Sequence, residues 1–419
     1  MNISSLVDFW KSGGERASIR ARWVFPGVGP PLENGTVEIT AGRIAAVHDR
    51  VGPVTCDLGN AAVIPGLVNA HTHLELSDVQ APLGPAHLFT TWLQQVMAHR
   101  RDRVATAAPG AAPPGVQAVV AGRSESTRLG TTTLGDIVSE SAPAEVASDS
   151  QPHTVAFLEL LGLAPERQAA QLARACEHLT AGGSLVRGLS PHAPYSVHPD
   201  LLRGAVDLAV VYRAPVAMHL AETEAELELL KSGSGEFVEF LERLGVWRAA
   251  VIPRGSRPLD SLRELARAER ALAIHGNYLD DDEIEFLAAH PSISVVYCPR
   301  THAYFGHAPH PWRKLLGRGI NVAIGTDSRA SNPDLSLFAE LQFLRRLAPD
   351  FDPARLLQLG TIGSAAALGI ERETGSLEAG KSADLAIVAL PEASGCDPYS
   401  LLFDPAAHVV ATLISGRLP

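Results

Sequence analysis

The pattern of apolar and polar positions changes rhythm twice along the chain. From about residue 17 to residue 64, short apolar runs alternate with turn residues and never settle into a helical period. Examples are Ala21-Arg22-Trp23-Val24-Phe25, Gly35-Thr36-Val37-Glu38-Ile39 and Ile44-Ala45-Ala46-Val47, with Asn34-Gly35 and Ala41-Gly42 supplying turn chemistry. The C-terminal end has the same texture, in Ala383–Val388 and His408–Ile414. Between the two ends, strand-like runs alternate with helical stretches. The runs are Thr131–Ile137, Thr154–Leu160, Leu185–Leu189, Val216–Leu220, Ala271–His275, Ser294–Cys298 and Asn321–Gly325, and the one that ends at His71 makes eight. Helical periods cover Arg167–Leu179, Asp200–Val211, Glu224–Lys231, Leu259–Ala271 and Asp280–Ala289. Eight strand–helix units predict an α/β fold, a parallel (β/α)8 barrel whose chemistry sits at the C-terminal ends of the strands. The matching texture of the two ends suggests that they pair into one small β-domain.

Composition agrees with this picture and removes other classes. With 419 residues, 46% hydrophobic and 19% charged, the chain can bury a large core. No segment approaches the ~20 apolar residues of a membrane span, and Met1–Arg20 carries charges and glycines where a signal peptide has its apolar centre. The expectation is a cytoplasmic protein with no membrane partner. A net charge of −11 without basic clusters speaks against nucleic acid. The densest basic run, Arg100-Arg101-Asp102-Arg103, reads as a solvated helix face. Cys56, Cys176, Cys298 and Cys396 are too scattered for a disulfide scaffold or a structural zinc site. The Ala- and Pro-rich stretch from Ala105 to Pro114 reads as a loop. Nothing in the composition fixes the oligomeric state, and a homo-oligomer stays open.

The chemistry concentrates at predicted strand ends. His71 and His73 follow an apolar run; on an extended strand such residues share a face and can aim at one ion. The fifth run ends in His219-Leu220-Ala221-Glu222, the sixth in His275-Gly276, and the eighth in Gly325-Thr326-Asp327-Ser328. If the barrel forms, these residues converge. Three neutral imidazoles and one carboxylate suit a divalent metal with a position left for water, whose pKa then falls to roughly 7. Glu222 lies where it could shuttle a proton between that water and a substrate nitrogen. Its neighbours Glu224, Glu226 and Glu228 read as ordinary acids at a helix N-terminus. His275 is either a further ligand or a hydrogen-bonding partner of the attacking hydroxide, and the second role is preferred. None of the four lysines lies at a strand end, so a lysine-bridged pair of metals is not expected, although Glu159 could bridge one.

Pro65-Gly66-Leu67-Val68-Asn69-Ala70-His71-Thr72-His73 resembles the first-strand motif of the amidohydrolase superfamily. His219-Leu220-Ala221-Glu222-Thr223 with Glu226, Cys298-Pro299-Arg300, and Gly325-Thr326-Asp327-Ser328 with Ser331-Asn332 resemble its branch of cytosine, guanine and S-adenosylhomocysteine deaminases and triazine hydrolases. Gly375–Leu385 is similar to that family's return from barrel to β-sandwich. The resemblance implies a composite β-sandwich from residues 1–64 and 375–419 around a barrel from 65–374. It implies one zinc or iron on His71, His73, His219 and Asp327, with zinc preferred. It also implies that Glu222, assisted by His275 and Asp327, deaminates an aminated heterocycle, with an adenine-type nucleoside as the expected small-molecule substrate. A chlorohydrolase or amide hydrolase would use the same site, and a non-catalytic barrel subunit is the remaining reading. His192, in Ser190-Pro191-His192-Ala193-Pro194, is similar to a substrate-contacting histidine, and Trp92 to a pocket wall; a turn histidine and a core tryptophan are the plainer readings. His71-Thr72-His73-Leu74-Glu75 with Ser77 looks like the version in aminofutalosine deaminases, which makes Glu75 a further substrate candidate. The chain departs from its relatives after Cys298-Pro299-Arg300, where Thr301-His302 leads to His307 and His310, expected as a polar loop or a second ion site.

Overall fold

The computed structural model describes residues 16–84, 88–106, 115–139, 151–248, 251–392 and 397–419. Cys396 and the part of the Ala- and Pro-rich stretch beyond residue 106 lie outside the described residues. The central run of the chain forms an eight-stranded parallel sheet in sequential order: Leu67–Thr72, Thr131–Val138, His153–Leu160, Val186–Pro191, Val216–Leu220, Ala271–His275, Ile293–Tyr297 and Val322–Ile324. A parallel bridge between Thr72 and Asp327 brings the last strand back to the first, so the sheet is a nearly closed barrel. Helices follow the strands, among them Gln168–Thr180, Pro199–Tyr212, Glu224–Ser232 and Asp281–Ala289.

Strands buried on both faces read as unbroken apolar runs, because alternate side chains enter two different cores. Ala271 and Ala273 pack outward with the helix residues Leu262 and Leu265, whereas Leu272 and Ile274 join Val155, Phe157, Ala217 and Val296 inside the barrel. His219, two residues after Ala217, inherits the inner side. Helix Pro258–Leu265 is shorter than its apolar period predicts. The chain leaves it through tight turns, with Arg267 N–H on the Glu264 carbonyl and Ala268 N–H on that of Leu265, and enters the sixth strand at Ala271.

Strands from the two chain ends share one five-stranded sheet, in which Leu385–Ala389 runs antiparallel to Ala61–Pro65 and to His408–Leu413. A four-stranded sheet (Arg43–His48, Thr36–Thr40, Arg16–Arg20, Cys56–Asp57) packs with it around Ile19, Val37, Ile39, Val63 and Ile387. Gly66 alone separates Ala61–Pro65 from the first barrel strand. A Cβ there would lie 2.2 Å from Thr132 Oγ1, so only glycine lets the chain pass from sheet to barrel at this point. No helix among the described residues is long and apolar enough to cross a membrane.

Candidate active site

The first strand carries His71 into the barrel with no exposed surface. Asn69 holds it there. Its Oδ1 accepts the His71 N–H at 3.3 Å and the Thr326 N–H at 3.1 Å, and its Nδ2 donates to Thr326 Oγ1 at 2.7 Å. The His71 carbonyl accepts the N–H groups of Thr326 and Asp327, both at 3.1 Å. One asparagine thus locks the first strand to the eighth at the level of the site. Gly325 completes this approach: a Cβ there would come within 2.9 Å of His71 Cβ and of the His71 carbonyl oxygen.

Five ionisable side chains converge on this point. Asp327 Oδ1 lies 3.6 Å from His71 Nε2 and 3.7 Å from His73 Nε2. His73 Nε2 and His219 Nε2 face one another at 3.3 Å. His275 lies on the far side, its ring centroid 5.7 Å from that of His71 and 5.4 Å from that of His219. His71, His73 and Asp327 form one group able to hold a metal ion, and His71, His219 and His275 form another. Glu159 belongs to neither group; it is buried at the C-terminal end of the third strand, 3.9 Å from His192 Nε2, and burial pushes its carboxyl up.

The donor set fits a divalent cation. Both ring nitrogens of His71 are buried without a hydrogen-bond partner, which a folded protein tolerates poorly unless something else binds them. His219 Nδ1 donates to the His192 carbonyl at 3.1 Å, which leaves Nε2 of the neutral ring without a proton and facing His73 Nε2, the usual second support of a metal-binding histidine. Burial, then the neighbouring imidazoles, hold His73 and His219 well below the ordinary histidine range, so both stay in the neutral form that binds metals.

Glu222 sits on a turn with strained supports. Ala221 has φ +51°. Glu226, fully buried, reaches back so that Oε1 accepts the Ala221 N–H at 2.8 Å and Oε2 the Glu222 N–H at 3.0 Å. Asn277 Nδ2 donates to the Glu222 carbonyl at 2.9 Å. Glu226 is therefore not an ordinary first-turn acid of helix Glu224–Ser232; it builds the turn that presents Glu222. The Glu222 carboxylate comes 3.3 Å from His275 Nε2. Burial, then the charges of Asp327 and Glu226, hold Glu222 well above the usual carboxylate range. Asp327, with φ +56°, is oriented by Ser331 Oγ, which donates to Oδ2 at 3.0 Å. Glu226→Ala would strand two buried N–H groups at about 1–3 kcal/mol each. We expect a lower unfolding midpoint together with reduced turnover, and a variant unchanged in both would show that the turn does not depend on Glu226.

The three expected substrate contacts are less alike. The His192 ring lies 4.9 Å from that of His219, its Nδ1 2.6 Å from Ser196 Oγ, and burial followed by Arg100 pushes its pKa down to about 3. Trp92 is buried against Phe89 and Phe305, and its Nε1 donates to the Ala330 carbonyl at 2.9 Å. Glu75 pairs with Arg100 and accepts from Ser139 Oγ at 2.8 Å. Arg100 is thus not on a solvated face, since the helix Phe89–Thr106 turns it toward Glu75. The expected polar loop after the seventh strand begins as a helix, Pro299–Phe305. The supporting parts of Asn69 and Glu226 leave no signal in the sequence beyond their place inside these motifs.

Comparison with known proteins agrees with this geometry. The Amidohydrolase family model matches residues 62–418. The chain is 30% identical over 405 residues to a 5-methylthioadenosine/S-adenosylhomocysteine deaminase of Syntrophobacter fumaroxidans, covering 91% of this chain and 85% of that protein. It is 30% identical over 370 residues to an aminodeoxyfutalosine deaminase of Deinococcus radiodurans, covering 83% and 84%. The crystal structure of an adenosine deaminase from Xanthomonas campestris with bound zinc superposes with a TM-score of 0.75 at 28% identity, covering 96% of this chain and 92% of that one. The matched span takes in the barrel, the converging histidines and the C-terminal strands of the shared sheet, and the chain belongs to the amidohydrolase family.

Proposed function

We propose that the protein is a metal-dependent hydrolytic deaminase of adenine-type nucleosides, with one divalent cation on His71, His73, His219 and Asp327. The observation that carries this is the pair of Nε2 atoms of His73 and His219 facing at 3.3 Å beside the unpartnered nitrogens of His71. Two imidazole nitrogens converging at that distance offer a pair of donors to one cation. Zinc is the preferred ion, supported by the zinc-bound Xanthomonas structure, with iron as the other candidate.

When bound, the ion lowers the pKa of a coordinated water so that hydroxide is available near neutral pH. The chain's residues do the rest. Glu222, buried and proton-hungry, takes a proton from the water and delivers it to the ring nitrogen of the amidine. The water oxygen adds to the amidine carbon, its second proton passes to the amino group, which leaves as ammonia, and the ring keeps a carbonyl. His275 hydrogen-bonds the incoming oxygen, and Asp327, fixed by Ser331, holds the geometry on the other side. We assign contacts with the base and its sugar to His192, Trp92 and Glu75, and the His192 ring, 4.9 Å from that of His219, is the best supported of the three. The names of the Syntrophobacter and Deinococcus relatives support an adenine-type nucleoside.

The test is ammonia release by metal-loaded enzyme from adenosine, 5′-methylthioadenosine, S-adenosylhomocysteine and aminodeoxyfutalosine, beside guanine, cytosine, a chlorotriazine and a urea. We expect release from at least one of the four adenine nucleosides. Chloride from the triazine, or cleavage of the urea alone, would assign the site to another leaving group. With the accepted nucleoside, His192→Ala should lower kcat/KM by about ten-fold, the worth of one hydrogen bond; steady-state kinetics that do not change would make it a turn residue only.

A further inference from the structure

His302, His307 and His310 form no metal group among the described residues, and each makes a different contact. His302 Nε2 donates to the Ala308 carbonyl at 2.8 Å and so closes the segment on itself. His307 Nδ1 lies 3.1 Å from the hydroxyl of Tyr278, three residues beyond His275. His310 Nε2 donates to the carbonyl of His275 itself, at 2.7 Å. The His310 ring is held flat on Tyr297, with centroids 3.9 Å apart and planes 18° apart, at the end of the seventh strand.

The carbonyl that His310 holds belongs to a strained residue. His275 has φ +70°, in the left-handed region that costs a residue with a side chain on the order of 1 kcal/mol or more, and Gly276 follows at φ +62°. Such backbone persists only where its surroundings determine it. A buried carbonyl turned away from the strand ladder must also find a donor. His310, itself buried, supplies it.

We infer that His310 is a positioning residue for His275, and that the histidine-rich segment which departs from the family pattern braces the back of the active site. The inference rests on the catalytic part proposed for His275. The brace fixes the left-handed turn, and the turn sets where the His275 ring stands against Glu222. Loosening it moves a reacting group without removing any group that touches substrate or metal. Misplacement of this kind costs on the order of 10²-fold in rate when it reaches 1 Å.

The test compares His310→Phe, which keeps a ring to stack on Tyr297 but has no donor, with His310→Gln, whose amide reaches about as far as the imidazole Nε2, and with His275→Gln. The probe is whichever adenine nucleoside the wild-type holoenzyme deaminates, and elemental analysis reports the metal. His310→Phe should lose roughly ten- to a hundred-fold in kcat with KM and the metal-to-protein ratio near wild type. His310→Gln should recover most of the loss, and a crystal structure of His310→Phe should show His275 displaced. Should His310→Phe unfold, His310→Gln against His310→Asn, whose shorter amide falls short of the carbonyl, makes the same comparison. Wild-type kcat in His310→Phe, or in His310→Asn where that comparison replaces it, would overturn the brace. So would an equal loss in His310→Gln, or a His275 that stays in place. Wild-type kcat in His275→Gln would instead overturn the catalytic part of His275, so the two failures can be told apart.

Discussion

Glu222→Gln is expected to keep its metal and lose turnover by about 10²–10⁴-fold. The substitution preserves shape and hydrogen-bonding reach but removes the acceptor proposed to carry a proton from water to the substrate's ring nitrogen. The backbone of Glu222 is held by Glu226 and Asn277 and not by its own carboxylate, so the turn should survive the change. The Glu222 carboxylate lies 3.3 Å from His275 and belongs to neither metal group, so metal content should stay at the wild-type ratio. Removing one of several acids packed together also relieves the repulsion that, with burial, raises Glu222. Thermal stability should therefore hold or rise while rate collapses. Kinetics and elemental analysis on the same preparation check both halves, and full activity would remove Glu222 from the proton path.

His219→Ala should do the reverse and act first on the ion. His219 presents Nε2 to His73 because its Nδ1 is committed to the His192 carbonyl. Without this imidazole the site keeps two histidines and a carboxylate, and a lost ligand typically costs far more than the 10–100-fold in affinity that follows loss of a mere supporting hydrogen bond. The expected result is a metal-to-protein ratio well below wild type after dialysis, with activity falling in step. The His192 carbonyl keeps the backbone N–H of residue 219, at 2.8 Å, so loss of the Nδ1 bond should cost the apo form little stability, which unfolding of the apo forms would check. An unchanged ratio would show that His219 is not a ligand.

Much of the fold is legible in the residues because parallel barrel strands are apolar on both faces. The bounds predicted for Val216–Leu220 and Ala271–His275 are those observed. Shorter amphipathic pieces such as Glu236–Arg243 and Pro299–Phe305 are not legible, because one or two turns of helix leave too few repeats to read a period. The converging residues were legible for a simple reason: an ionisable group at the end of a buried strand has few places to go. Their supports were not. Glu226 resembles any acid of a first helical turn until its carboxylate is seen on the N–H groups of Ala221 and Glu222. The bond from His310 to the His275 carbonyl spans 35 residues and depends on a backbone angle that no residue pattern announces. Arg100 looked solvated because its neighbours in the chain are charged, whereas its partner Glu75 lies 25 residues away.

Hydrolytic deamination at this site can be tested by turning over the accepted adenine nucleoside in oxygen-18 water and weighing the product by mass spectrometry. One labelled oxygen should appear as the new carbonyl on the purine for each ammonia released, in the holoenzyme and not in the metal-free protein. A product without the label, or equal labelling by metal-free enzyme, would contradict metal-dependent hydrolysis at the His71, His73, His219 and Asp327 centre.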